Sequence, residues 1–214
     1  MSARICITGA TGYLGRALCR TLDRSRVLAL VRAGSAARVE PGVASLELDV
    51  FDAEQLTRAL EPGDTVVHLI GTPHPNPSKA AEFRRVDLAS VQACASAAGR
   101  ARVAHFVYVS VAQPAPVMQA YVEARQAGEA AIAEAGLTAT ILRPWYVLGP
   151  EHRWPYLLLP VYAIAALWPG TRDTARRLGM VTLEQMSRAL ARAIGDPPPP
   201  GTRRVLDVPG IRAA

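Results

Sequence analysis

The chain alternates short apolar runs with longer amphipathic stretches. Apolar runs of strand length lie at residues 4–8, 27–31, 45–48, 65–70, 102–110 and 138–142. Between them, the spacing of apolar residues predicts helices at residues 13–22, 52–60, 79–98 and 119–135. Strands that alternate with helices indicate a parallel sheet, and their nearly unbroken apolar character is typical of strands covered on both faces. The predicted fold is therefore α/β: a Rossmann-like, doubly wound parallel sheet with helices on both faces.

The pattern changes after residue 144. Residues 154–168 contain no charged side chain. This run is shorter than the ~20 residues that span a bilayer, and two prolines interrupt it, so we predict no transmembrane segment. A capping box at Thr182 and Gln185 predicts a helix to about residue 194, and a last strand is expected at residues 204–208. We expect one domain over residues 1–214, with a small C-terminal lobe.

The composition and charge of the chain argue against nucleic-acid binding and against a metal site. The net charge is +6, but all but one of the 24 basic residues are arginines, and they are scattered along the chain. Without a basic run interleaved with aromatic residues, we predict no nucleic-acid partner. The three cysteines have neither metal-ligand nor paired spacing, so we predict no metal and a reduced, cytoplasmic location. No signal peptide is expected, and the chain is expected to be a monomer or a homodimer.

The first predicted strand leads directly into three glycines. Gly9 allows a sharp turn, Gly12 lets a pyrophosphate approach the backbone, and Gly15 lets the following helix pack close to the strand. The unpaired N–H groups and the positive dipole end of that helix favour phosphate binding. This arrangement predicts a dinucleotide site.

The end of the second predicted strand bears on which dinucleotide binds. A carboxylate there would pair with the ribose 2′-OH of NAD, but the strand is followed by Arg32, Ser35 and Arg38. A guanidinium group can form two parallel hydrogen bonds with a 2′-phosphate. We therefore favour NADP(H) as the cofactor, with NAD as the alternative. Arg32 is alternatively a solvated loop residue that binds no ligand.

These motifs together resemble the short-chain dehydrogenase/reductase superfamily, in its atypical and extended NAD(P)H-binding branch (NmrA-like or NAD-dependent epimerase/dehydratase-like). The resemblance rests on T-G-A-T-G-Y-L-G at residues 8–15, D-V at 49–50, V-V-H-L-I-G at 66–71, V-Y-V-S at 107–110, Y-x-x-x-R at 121–125 and I-L-R-P-W at 141–145. It implies that Asp49 binds the adenine amino group. The expected cofactor-binding residues are Gly9, Thr11, Gly12, Tyr13, Leu14, Gly15, Arg32, Ser35, Asp49, Val50, Leu69, Ile70, Gly71 and Pro144.

The same resemblance implies a catalytic group formed by Ser110, Tyr121 and Arg125. In carbonyl-reducing members, a tyrosine acts as the acid, a serine holds the substrate oxygen, and a lysine four residues after the tyrosine lowers its pKa. Arg125 stands in place of that lysine and cannot carry protons in the same way. Purely structural roles are the alternatives, with Arg125 pairing with Glu129 on the surface. Asp87, where extended members often carry asparagine, is expected on a helix surface.

The resemblance also implies that segment 145–180, in a small C-terminal substrate lobe, covers the substrate. The leading hypothesis is an NADP(H)-dependent oxidoreductase that acts on an apolar carbonyl or quinone-like substrate beneath residues 154–168. His152 is a candidate hydrogen-bond donor or a solvated loop histidine. The apolar segment is alternatively an oligomer interface or a membrane-surface anchor. Two other functions remain: a non-catalytic NAD(P)H-binding redox sensor or assembly and regulatory protein, and a nucleotide-sugar epimerase or dehydratase.

Overall fold

The computed structural model describes residues 3–115, 117–150 and 178–214. Within them, a seven-stranded sheet is formed by β1 (Ile5–Thr8), β2 (Val27–Val31), β3 (Ala44–Glu47), β4 (Thr65–His68), β5 (His105–Val109), β6 (Ala139–Leu142) and β9 (Arg203–Leu206). Every pair of neighbouring strands is parallel. The predicted Rossmann-like fold class is confirmed.

The strand order is β3-β2-β1-β4-β5-β6-β9. The chain moves from β1 outward to β3 and then returns to place β4 on the other side of β1, so Ile5 pairs with both Val27 and Thr65. A crevice forms at such a reversal because the connections leave β1 and β4 toward opposite faces. The glycine-rich turn lies immediately after β1, at the mouth of this crevice.

Helices cover both faces of the sheet. They are α1 (Tyr13–Thr21), α2 (Ala53–Ala59), α3 (Ala80–Glu82), α4 (Ala89–Ala101), α5 (Gln119–Glu134), α6 (Leu183–Gly195) and α7 (Val208–Ala213). On one face, Leu18 of α1 and Leu190 of α6 pack in a buried cluster with the strands. On the other face, Leu56, Val91 and Ile132 join α2, α4 and α5 to a second cluster. The inner strands β1, β2, β4, β5 and β6 are largely apolar because both of their faces are buried, whereas the edge strands β3 and β9 are exposed or half-buried.

One predicted helix and the strand after it have different boundaries in the structure. The helix expected at residues 79–98 consists of α3, a π-helical stretch at Phe83–Leu88, and α4, which continues to Ala101. Arg102 then adopts a left-handed conformation with φ of 54°, which ends α4, so the strand expected from residue 102 begins at His105. The π-helical stretch places Asp87 in the interior, where it contributes to the site described below.

The C-terminal part begins with a small parallel sheet of β7 (Tyr146–Leu148) and β8 (Met180–Thr182), which the sequence did not predict. The predicted capping box is confirmed, since Thr182 Oγ1 accepts from Gln185 N at 3.1 Å and Gln185 Oε1 accepts from Thr182 N at 2.9 Å. Most of the expected covering segment 145–180, including His152 and residues 154–168, lies outside the described residues.

Among the helices in the described part of the chain, none is long and apolar enough to cross a membrane.

Candidate active site

The glycine-rich turn has the close backbone contacts that the sequence predicted. Gly9 has a φ of +77°, and a Cβ there would lie 2.8 Å from the carbonyl carbon of Leu69. A Cβ at Gly15 would overlap the Gly9 carbonyl oxygen and lie 2.6 Å from the Ala10 Cα. Gly12 N donates to Gly9 O at 3.0 Å, which closes the turn. Gly9 and Gly15 are thus required by packing inside the protein.

Gly12 differs from the other two glycines. It is exposed, forms the N-cap of α1 with an ordinary φ of −81°, and a Cβ there would meet only the Gly9 oxygen, at 3.2 Å. Its lack of a side chain leaves the start of α1 open to solvent. An anion can therefore approach the first N–H groups of the helix, which have no partners within it.

A cleft of about 760 Å³ opens beside this turn at the crevice of the sheet. One wall is the glycine turn and the start of α1, and another is the loop at residues 72–77 that follows β4. The rest of the lining is formed by Leu69, Gly71, Val111, Met118, Tyr121, Trp145, Tyr146 and Val147. The glycine turn and the open helix terminus suit the pyrophosphate of a dinucleotide, whereas the residues expected at the adenine end, Arg32, Ser35, Asp49 and Val50, are not among those that line this cleft.

A smaller cavity of about 150 Å³ adjoins the cleft and brings the three candidate catalytic residues together. Ser110, Tyr121 and Arg125 line it, and Leu69 and Pro144 lie in its wall. The other five lining residues are all apolar: Leu14, Val109, Val111, Trp145 and Val147. Because Leu14, Leu69 and Tyr121 border both spaces, the cavity and the cleft are continuous along one surface.

Arg125 does not lie on the surface. Its Nη2 donates to Asp87 Oδ1 at 2.6 Å, and the Arg125 and Asp87 side chains are only 7% and 0% exposed. The Arg125 Nη1 donates to the Val109 oxygen at 3.0 Å. The alternative pairing of Arg125 with Glu129 is wrong, and so is the expected surface position of Asp87. The π-helical stretch turns that side chain inward, where an unpaired carboxylate would be costly.

The Asp87 carboxylate links several segments around the site. Its Oδ2 accepts from Thr72 N at 3.0 Å and from Thr72 Oγ1 at 2.6 Å, beside Gly71. Burial by itself disfavours the charged form of Arg125, but nearby phenol and carboxylate oxygens raise its pKa above its ordinary value. The Asp87–Arg125 ion pair therefore fixes the ends of β4 and β5 against the π-helical stretch.

Tyr121 lies next to this ion pair. Its ring centroid is 5.1 Å from the Arg125 Cζ and 5.0 Å from the ring centroid of Phe83. Tyr121 is partly exposed, unlike Arg125, and it borders both the cavity and the cleft. Of the three candidate catalytic side chains, the phenol of Tyr121 is thus the one most open to a substrate.

Ser110 belongs to a second polar cluster, which the sequence did not reveal. Its Oγ donates to Glu129 Oε1 at 2.6 Å, and the same oxygen accepts from Gln113 Nε2 at 2.8 Å. Arg143 forms a bidentate pair with this carboxylate, with Nε 3.0 Å from Oε1. In this arrangement the Ser110 proton is directed to Glu129, so Ser110 presents lone pairs to a bound molecule.

The residues expected at the adenine end lie on the loops after β2 and β3. Asp49 is exposed, and its Oδ1 accepts from Phe51 N at 3.0 Å, as in an ordinary Asx turn. Arg32 is exposed. Ser35 is 2% exposed, and its hydroxyl accepts from Arg38 Nη2 at 2.8 Å. Arg32 is therefore more accessible to a ligand than Ser35.

Comparison with known proteins places this geometry in a family. Residues 9–157 match the family described as NAD(P)H-binding. A ceramide reductase from Caulobacter vibrioides is 31% identical over 194 residues, or 87% of this chain and 59% of its own length. An L-arabinose 1-dehydrogenase (NAD(P)(+)) from Haloferax volcanii is 38% identical over 74 residues, 35% of this chain and 28% of that protein. The chain thus matches less than two thirds of either relative.

Solved structures share the fold. The enzyme WbmH from Bordetella bronchiseptica, in complex with NAD+, has a TM-score of 0.66 at 20% identity, over 90% of this chain and 72% of that one. A double mutant of the dTDP-glucose 4,6-dehydratase DesIV from Streptomyces venezuelae, with NAD bound, has a TM-score of 0.69 at 20% identity, over 94% of this chain and 74% of that one. At these identities the likeness concerns the fold. Taken with the family match over residues 9–157, it shows that the chain belongs to the NAD(P)H-binding family of Rossmann-fold proteins.

Proposed function

We propose that this protein is an NADP(H)-dependent reductase of the atypical short-chain type, acting on an apolar carbonyl or quinone-like substrate. The observation that carries the proposal is the convergence of Ser110, Tyr121 and Arg125 on one apolar cavity beside the dinucleotide cleft. Bound NAD(P)H supplies a hydride for a carbonyl carbon. The protein must then bind the carbonyl, exclude water and provide a proton for its oxygen.

Tyr121 is the proposed proton donor. Its phenol carries a transferable proton, it borders the cavity, and Arg125 lies over its ring. Transfer of the phenolic proton to the substrate oxygen leaves a phenolate, which the Arg125 charge would stabilise. Ser110 would orient the oxygen after rotating its hydroxyl away from Glu129. We assign the acid role to Tyr121 because a phenol gives up its proton more readily than the aliphatic hydroxyl of Ser110.

An apolar substrate is supported by the cavity walls. Most of its lining residues are aliphatic or aromatic. The ceramide reductase relative is named for action on a lipid, which is consistent with such a lining. Sugar hydroxyls would need polar partners, so the cavity offers less to a nucleotide sugar, although the fold resembles that of a sugar dehydratase.

Arg125 favours a second candidate function, a sensor or assembly protein that binds NAD(P)H without turnover. Its Nη atoms contact Asp87 and the carbonyl oxygen of Val109. An arginine held in this way cannot relay protons as a lysine can. This candidate shares the dinucleotide site with the first, so catalytic turnover distinguishes them.

The test is oxidation of NADPH, followed by absorbance, with a panel of long-chain ketones, apolar aldehydes and quinones. We expect turnover with at least one class, and a roughly 10²- to 10⁴-fold loss in Tyr121→Phe with unchanged NADPH affinity. The NADPH affinity of Tyr121→Phe is the internal control, since it separates loss of the proton donor from damage to the dinucleotide site. NADPH binding without turnover would support the sensor, and equal rates in wild type and Tyr121→Phe would refute the assigned acid.

A further inference from the structure

Glu47, at the end of β3, makes an unexpected contact with the loop after β2. Its Oε1 accepts hydrogen bonds from Gly34 N at 3.1 Å and from Ala36 N at 3.3 Å. The register of the sheet explains the contact, because Glu47 pairs with Val31, the last residue of β2. The Glu47 carboxylate is therefore hydrogen-bonded to the backbone of the loop that begins at Arg32.

This loop belongs to the dinucleotide end of the sheet. The glycine turn follows β1, the loop at residues 32–38 follows β2, and β1 and β2 are adjacent and parallel, so both lie at the same edge. In dinucleotide-binding folds, the group beyond the second strand meets the ribose 2′ position. The sequence has an arginine there, but the fold adds an acid from the third strand.

The two charges have opposite effects on a 2′-phosphate. Arg32 is exposed and attracts it. The backbone N–H groups of Gly34 and Ala36 would also suit an anion, but Glu47 already occupies them with a negative charge of its own. A 2′-hydroxyl has no charge to be repelled and can donate a hydrogen bond to a carboxylate.

We propose that Glu47 is a specificity-determining residue, whose carboxylate lowers the affinity for a 2′-phosphate relative to a 2′-hydroxyl. Glu47 and Arg32 together then set the ratio of NADPH to NADH affinity. This inference rests on the proposed function only in requiring that the cleft binds a nicotinamide dinucleotide.

The test compares dissociation constants for NADPH and NADH, measured by fluorescence titration at low ionic strength. In Glu47→Gln, the amide oxygen still accepts from both N–H groups while the charge is lost. We expect the affinity ratio to shift toward NADPH by roughly three- to tenfold, and the shift to shrink in high salt. Glu184→Gln is the matched control, since it removes an equal charge from an exposed side chain on α6, and its ratio should stay at the wild-type value.

The outcomes separate this inference from the proposed function. If wild type binds both dinucleotides and Glu47→Gln leaves their ratio unchanged, the role of Glu47 is overturned and the function stands. If wild type binds neither, the proposed function fails, and the inference fails with it. Glu47→Ala, checked by its melting temperature, removes the charge without a hydrogen-bonding replacement and should shift the ratio in the same direction.

Discussion

Two buried histidines should make the stability of the protein depend on pH. His68 is fully buried in β4, with Nδ1 2.9 Å from Thr8 Oγ1 and Nε2 3.3 Å from Ser90 Oγ. Burial, together with the nearby charge of Arg125, lowers the pKa of His68 from 6.5 to about 3. Burial and the charge of Arg204 lower the pKa of His105 to about 4. Both rings are therefore neutral in the folded protein down to mildly acidic pH.

The direction and size of the effect follow from these values. Since the pKa in the folded state lies below that in the unfolded chain, the unfolded chain binds the proton first. The stability from a neutral ring is then complete above a pH of about 6.5 and is lost as the pH falls toward the folded value. At a pH of about 5, protonation of one histidine in the unfolded chain favours unfolding by about 2 kcal/mol. This figure changes little if the folded pKa lies anywhere below about 4.

The experiment is urea unfolding of wild type and His68→Gln, followed by circular dichroism at pH values of about 8 and about 5. Glutamine can hydrogen-bond but does not titrate, so the variant should lose about 2 kcal/mol less than wild type between these pH values. His105→Gln should behave similarly, and His74→Gln, at an exposed position, is the control. Equal losses in wild type and His68→Gln would refute the assignment of a neutral buried ring.

Three further predictions concern packing and burial. Gly15→Ala places a methyl group against the Gly9 oxygen and should lower the melting temperature by at least about 5 °C; an unchanged value would contradict the packing role of this glycine. Asp87→Asn leaves the buried charge of Arg125 without its partner and should cost about 3–5 kcal/mol in urea unfolding, whereas a cost below about 1 kcal/mol would refute the ion pair. Burial raises the pKa of Cys94 to about 12, so its thiol should react with an aromatic disulfide reagent only after unfolding, and rapid labelling of the native protein would disprove this.

The sequence predicted the features that depend on neighbouring residues. The apolar runs marked the strands, and the spacing of Gly9, Gly12 and Gly15 marked the turn, because the positive φ of Gly9 and the contact of Gly15 with Gly9 are set within a few residues. The capping box at Thr182 was equally local. Such signals extend over a few residues and can be recognised in the sequence without knowledge of the tertiary structure.

The site depends on contacts that sequence spacing does not reveal. Asp87 was expected on a surface, but a π-helical stretch turned it toward Arg125, 38 residues away. Glu129 accepts from Ser110 across 19 residues. Glu47 reaches the loop after β2 only because its strand lies next to that strand. Asp87, Glu129 and Glu47 each bind a segment that is distant in sequence and becomes a neighbour only in the folded chain. Helix periodicity and motif matching therefore could not identify these contacts.

We propose that the glycine turn and the start of α1 bind the pyrophosphate of a nicotinamide dinucleotide. Gly12 offers the most direct test, because its φ is ordinary, it is exposed, and a Cβ there would meet only the Gly9 carbonyl oxygen, at 3.2 Å, so a small local shift accommodates a side chain. The measurement is titration of wild type and Gly12→Val with NADPH, alongside their melting temperatures. We expect saturable binding to wild type and at least roughly tenfold weaker binding to Gly12→Val, with melting temperatures within about 3 °C. Equal affinity in both proteins, or no binding to wild type, would contradict it.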